Sequence, residues 1–420
     1  MHTGWNGAID RLRSIHCHHL CLSNSNHLFI LFNFTKKSPY FTIETTVSWW
    51  KDTKEGRFMM TNLVITSGNP EVFHCAFTFD DGPMRIPIDA WLDALEQGGA
   101  CGTFFLTGEW FDRYPAKARE MLARGHELAT HTYHHRRMAD VTKAVFFEEL
   151  KLAELAYQEA TGKPVPNFMR FPYASYREEN LEWLREWNYL VIEGEDTVDW
   201  SGPPSAQLVE RVIPKLVNGS IFMFHANEIA KETPQAVKSL VHHTHAKGLA
   251  AVPVSELLHA AGISTGERSW QVRFKPTLQG SFHSEQWKRV AGEDELRKLA
   301  ADSLEWGNPK APTGSGAYRI WLEELSMQVQ SEGETRFVAR SFADQHWAYV
   351  CASVRGGALV LEDFATKEAH ADALVYILQW AAHEASTLGC EWITSTQDMR
   401  RIYRLCEQLG FEAEIVVQEG

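Results

Sequence analysis

At 420 residues the chain is long enough for two folded units, and its 44% apolar content can bury a core in each. A formal net charge of −13 argues against a nucleic-acid partner, which needs clustered Lys and Arg, and leaves a neutral saccharide open. Seven Cys without a disulfide pattern, no apolar run of the ~18 residues a membrane span requires, and no secretory pattern together read as a cytoplasmic protein.

Residues 1–60 show no sustained period and read as a poorly ordered leader. His16, Cys17, His18, His19 and Cys21 crowd together too closely to converge on one tetrahedral ion. Met59 and Met60 stand just before the organised region, so the leader reads as an upstream extension of the functional protein.

From residue 70 the pattern becomes regular. Short β-rich runs at 72–79, 102–107, 127–130, 168–171, 189–193, 219–224 and 249–254 alternate with amphipathic stretches. Those stretches, at 88–97, 115–124, 143–161, 178–187, 205–217 and 233–247, predict helices. The alternation predicts an α/β fold over 70–262, a distorted (β/α) barrel of about seven parallel strands.

Residues 263–316 are broken by Pro276, Pro309, Pro312 and Gly314 and read as an irregular linker. Residues 317–420 then predict a smaller α/β domain. Its elements are a helix at 317–331, strands near 337–341, 347–354 and 357–363, a long helix at 370–388, a strand at 391–395 and a helix at 399–409.

Polar residues stand at the C-terminal ends of the barrel strands. Asp80 and Asp81 end the first, His131 and His135 follow the third, and Arg170 and Tyr173 lie at the fourth. Asp199 and Trp200 follow the fifth, and His225 ends the sixth. That rim is where α/β barrels build active sites. Asp-Asp-Gly-Pro by itself also suits a plain polar turn, and His residues four apart are common on surfaces. A carboxylate with two His matches a catalytic metal set that leaves positions open for water and substrate.

Five ordered segments make a family resemblance specific. They are Thr78-Phe79-Asp80-Asp81-Gly82-Pro83, His131-Thr132-Tyr133-His134-His135, Arg170-Phe171-Pro172-Tyr173, Asp196-Thr197-Val198-Asp199-Trp200 and Phe222-Met223-Phe224-His225. Residues 70–260 thereby resemble the polysaccharide deacetylases, the NodB-homology domain of family 4 carbohydrate esterases. The resemblance implies that Asp81, His131 and His135 bind a divalent metal, zinc or in its place cobalt or nickel. It implies Asp80 as general base toward a metal-activated water, with Arg170 holding Asp80 in orientation. The backbone N–H of Tyr173 would face the oxyanion, and His225, tuned by Asp199, would be the general acid. Trp200 and Phe224 would wall the acetyl pocket. His74, His126 and His134 are bystanders, with His134 pointing elsewhere. The segments depart from the family's habit at Arg136, Phe171, Ala174 and Phe224, where Pro, Pro, Gly and an aliphatic residue are common.

The resemblance predicts a hydrolase that removes acetyl groups from N-acetylglucosamine-type saccharides. The same chemistry also serves acetyl esters or small amides. A third reading is a sugar-binding module whose residues 317–420 recruit a protein partner. Residues 317–420 resemble the GCN5-related N-acetyltransferase fold, but 365–370 carry no Gly to cradle a pyrophosphate, which predicts a degenerate copy.

Overall fold

The computed structural model describes residues 28–37, 40–52, 58–60, 63–277, 287–290, 294, 335–342, 345–366 and 373–418. His16 to Cys21 and the expected helix at 317–331 lie outside them. Within the stretch read as a leader, Leu28–Lys37, Tyr40–Asp52 and Phe58–Met60 form an antiparallel sheet.

The first domain is a curled parallel sheet wrapped by helices. In chain order its strands are β1 (Val64–Ile65), β2 (His74–Asp81), β3 (Thr103–Leu106), β4 (Glu127–Thr130) and β5 (Phe168–Met169). They continue with β6 (Leu190–Ile192), β7 (Glu195–Asp196), β8 (Ile221–Ala226) and β9 (Ala250–Ala251). The sheet order is β7-β8-β2-β3-β4-β5-β6-β1, with β9 paired to the start of β2, and every pairing is parallel.

The helices are α1 (Asp89–Glu96), α2 (Gly108–Arg113), α3 (Pro115–Ala123), α4 (Lys143–Thr161), α5 (Glu178–Glu186), α6 (Ser205–Val212), α7 (Thr233–Ala246) and α8 (Val254–Ala260). This is the distorted (β/α) barrel. All seven expected strands are present, and β1 and β7 add to them; at two residues each they are too short to show a period. The last expected strand is cut to Ala250–Ala251 because Pro253 opens α8.

Period-2 alternation sorts the side chains into two layers. Phe77, Phe79, Phe104, Phe222 and Phe224 point outward into one core with the helices. Burying each ring is worth roughly 1.5–3 kcal/mol. Ala76, Phe105, Ala129, Phe168, Ile192 and Ile221 point inward, and Leu257 and Leu258 of α8 plug the floor beneath them.

The barrel does not close through a β1–β7 pair. It is joined on the floor side by a Ser67–Ser220 bridge and by Gly68 N–H donating to Gly219 O at 2.7 Å. Gly219 has φ +77°, and a Cβ there would lie 2.7 Å from Gly68 O, so the crossing needs glycine.

The second domain is a mixed sheet. Its strands are β10 (Trp270–Phe274), β11 (Trp287–Arg289), β12 (Thr335–Phe342), β13 (Gln345–Arg355), β14 (Ala358–Thr366), β15 (Trp392–Ser395) and β16 (Ala413–Val417). Helices α9 (Ala373–Leu388) and α10 (Met399–Leu409) complete it, and the sheet order is β11-β12-β13-β14-β15-β10-β16. β14 and β15 pair in parallel around α9, and the other pairings are antiparallel.

The stretch expected as a linker therefore contributes β10, which lies between β15 and β16. Trp270, Val272 and Phe274 are its buried alternate residues, a period too short to stand out among prolines. Among the described residues no helix is long and apolar enough to cross a membrane.

Candidate active site

The barrel mouth collects the polar ends of the strands. Asp80 lies on the inward face of β2 and is buried, as is Arg170 just past β5. Arg170 Nη1 donates to Asp80 Oδ1 and to Thr78 Oγ1, both at 2.7 Å, and Arg170 Nε donates to Ile192 O at 2.8 Å. The guanidinium also lies 4.3 Å from the Phe105 ring centroid. Asp80 is thus held in one orientation by a fixed cation.

Asp81 departs from the strand at φ +83°, which turns its carboxylate away from the outward direction that alternation would give it. Asn227 Nδ2 donates to Asp81 Oδ2 at 2.7 Å. Asn227 Oδ1 accepts from the backbone N–H groups of Ile229 and Ala230, which settles which end of its amide faces Asp81. Asp81 Oδ1 is buried and has no hydrogen-bond partner. His135 Nε2 is 3.0 Å from it and His131 Nε2 is 3.7 Å from it.

The three residues offer donor atoms within 4.8 Å of one another, as a shared cation requires. His131 Nδ1 is 2.8 Å from Arg170 O, so Nδ1 carries the hydrogen and Nε2 presents its lone pair. Burial pushes the His131 imidazole down to about 4, against the pull of Asp80, so it is neutral at pH 7 and able to ligate. Burial acts to raise Asp81, but contact with His135 and the neighbouring imidazoles outweighs it and holds the carboxyl below the ordinary range. The donor set fits a divalent ion.

His225, inward on β8, stands on the strand beside β2 and is level with Asp80. Its Nδ1 is 2.7 Å from Asp199 Oδ1, and its backbone N–H donates to Asp199 Oδ2 at 2.8 Å. Thr233 Oγ1 also donates to Asp199 Oδ2, at 2.7 Å, so the buried carboxylate is fully engaged. Burial works against the imidazolium, but the Asp199 hydrogen bond and the charges of Asp80 and Asp81 raise His225 to about 9.

Tyr173 sits in the turn Pro172–Ala174 at φ +60°, beside His135 at 4.6 Å between ring centroids. Ala174, where the family commonly has glycine, takes φ +46°, so this left-handed turn is kept despite its Cβ. Trp200 is 50% exposed at the rim, with Nε1 3.4 Å from Asp196 Oδ2.

Phe224 requires a correction. It is fully buried on the outward face of β8, against Phe79 at 5.7 Å and Phe77 at 6.0 Å, and lines no pocket at the mouth. The alternation that turns His225 inward turns Phe224 outward. Phe224→Ala is expected to cost about 3–5 kcal/mol of stability with KM unchanged; urea unfolding beside steady-state kinetics checks both.

His134 is turned away from Asp81: its backbone N–H and Nδ1 meet the Glu149 carboxylate at 2.9 and 2.7 Å. His126 pairs with Glu96 at 3.1 Å. His74 lies at the start of β2, the opposite end of the strand from Asp81. Sequence reasoning missed Asn227, Thr233, Glu149 and Glu193. Asn227 was within reach, because it lies two residues beyond His225 on the same strand end. Glu193 follows β6; burial raises it to about 7 despite Arg170, and its Oε1 is buried without a partner.

Fold and site together define a distorted (β/α) barrel with a carboxylate–dihistidine cation site, a held carboxylate and a carboxylate-paired imidazole at its mouth. The polysaccharide deacetylase family model matches residues 67–192. The chain is 32% identical over 152 residues to a peptidoglycan-N-acetylglucosamine deacetylase of Bacillus cereus, covering 36% of this chain and 55% of that protein. It is 30% identical over 160 residues to a chitooligosaccharide deacetylase of a Bradyrhizobium strain, covering 38% of this chain and 72% of that protein. A crystal structure of a peptidoglycan N-acetylglucosamine deacetylase overlays with a TM-score of 0.46 and 26% identity, over 48% of this chain and 96% of that one. This chain belongs to the polysaccharide deacetylase family. It spans little more than half of the Bacillus cereus relative. The family match ends at residue 192 and lends no support to the acetyltransferase resemblance of 317–420.

Proposed function

We propose that the chain is a metal-dependent N-deacetylase of N-acetylglucosamine-type saccharides, of the chitooligosaccharide or peptidoglycan kind. The observation that carries this reading is Asp81 Oδ1, buried and without a hydrogen-bond partner between His131 Nε2 and His135 Nε2. Asp81, His131 and His135 would hold a divalent ion, zinc or cobalt or nickel, which would supply Lewis-acid polarisation and lower the pKa of water to about 7.

The chain's own residues account for the proton transfers. Asp80, oriented by Arg170, takes a proton from water as the water oxygen bonds to the acetyl carbonyl carbon. The Tyr173 N–H at the mouth faces the developing oxyanion. His225 donates a proton to the amide nitrogen as the C–N bond breaks, and Asp199 steadies the imidazolium. Asp80 then returns its proton to His225, and the products are the free amine and acetic acid, which releases its proton to become acetate. Trp200, exposed at the rim, offers an aromatic face to a sugar ring.

The test is acetate release from N-acetyl chitooligosaccharides and from peptidoglycan fragments, with zinc or cobalt and after chelation. Turnover only on acetyl esters, or saccharide binding without turnover, would sink the reading. The pH profile adds a second check. His225 is raised by Asp199, so its acid form is present below its pKa and is lost as pH rises through it. Asp199→Asn is therefore expected to move the alkaline limb of kcat/KM to lower pH.

A further inference from the structure

The second domain reaches the metal-site loop through one arginine. Arg400, in the first turn of α10, donates from Nη1 to Asp112 Oδ2 at 3.0 Å and from Nη2 to Asp112 Oδ1 at 2.5 Å. Its Nε and backbone N–H donate to Glu159 of α4 at 2.8 and 3.0 Å. Asp112 Oδ2 also accepts from Tyr133 Oη at 2.6 Å.

Tyr133 stands midway between His131 and His135. Its ring packs so closely on α2 that a Cβ at Gly108 would lie 2.1 Å from Tyr133 Cδ2. Its carbonyl, and that of Thr132, accept from the N–H groups of Glu109 and Gly108. A bidentate Arg–Asp pair is rigid, so the phenol is held at a set point on the barrel.

The second domain is itself seated on α4. Lys151, Glu154, Leu155, Gln158 and Glu159 recur at helical spacing and form one stripe. Lys151 Nζ donates to Ile415 O at 3.2 Å, and Gln158 Nε2 and Oε1 bond the backbone of Trp270 at 2.8 and 2.7 Å. The same helix carries Glu149, which holds His134 and Arg136 at the other end of the loop.

We propose that the second domain is a positioning element for the metal-site loop, with Arg400 acting through Asp112 and Tyr133 on the spacing of His131 and His135. The proposal rests on the metal reading above. A group bonded directly to a ligand typically changes metal affinity about 10–100-fold. Tyr133 acts one step further out, through the backbone that carries His131 and His135, so the lower end of that range is expected.

The experiment uses the full chain with Arg400→Met, Tyr133→Phe and both together. Tyr133→Phe leaves the Arg400 pairs intact, so it separates loop positioning from domain docking. Zinc affinity is measured by competition with a chromophoric chelator, and amide exchange of residues 131–137 is followed in metal-free protein. The expected result is about tenfold weaker zinc binding for each single variant, with no further loss in the double variant, and faster loop exchange. Unchanged affinity and unchanged exchange in both single variants would overturn the proposal. If the unsubstituted chain binds no zinc but exchange still rises in the variants, the metal reading fails and the brace stands.

Discussion

Asp80→Asn is expected to lower kcat by about 10²–10⁴-fold while zinc binding persists. The asparagine keeps the size of the side chain and an oxygen for Arg170 Nη1 to reach, and it loses the basic carboxylate. Asp80 is 5% exposed and Arg170 1%, so the pair is shielded from water. Breaking such a pair typically costs about 3–5 kcal/mol, because a charge is left buried. Here Thr78 Oγ1 and Ile192 O still accept from the guanidinium, which limits the loss. Zinc titration and thermal unfolding alongside kinetics separate the two effects. A folded, zinc-bound Asp80→Asn protein with turnover near that of the unsubstituted chain would remove Asp80 as the base.

Asp81→Asn is expected to act differently, on the metal. Asn tolerates the left-handed φ of +83° at this position, so the turn is preserved. The amide offers one oxygen in place of two. It cannot both accept from Asn227 Nδ2 and face His131 and His135 as an anion. In the unsubstituted chain, zinc at 100 times its Kd should add about 2.7 kcal/mol of stability by mass action. That increment, read as a zinc-dependent rise in Tm, should vanish in Asp81→Asn together with turnover. Equal stabilisation of both proteins would place the ion elsewhere.

The contrast between these neighbours shows where sequence reading stops. Alternation turns Asp80 inward on β2, whereas Asp81 joins the site only because its φ of +83° breaks that alternation. The same rule, applied one residue earlier on β8, would have put Phe224 in the outer core, since His225 faces inward. On β8 the alternation holds through the motif, and Phe224 packs against Phe77 and Phe79 in the outer core. Asn227 and Thr233 belong to the site only because β8 and α7 bring them beside Asp81 and Asp199.

Linear pattern alone determined the seven alternating strands, the principal helices between them, and the strand ends that carry Asp80, Asp81, His131, Arg170 and His225. Those features are local: period, turn chemistry and motif spacing can be read along the chain. Tertiary structure decided the rest. It left the barrel open between β1 and β7, drew Trp270–Phe274 into a sheet with strands more than 100 residues away, and tied Arg400 to Tyr133 through Asp112. Pairings between distant segments depend on which faces meet after folding, and no local period encodes that.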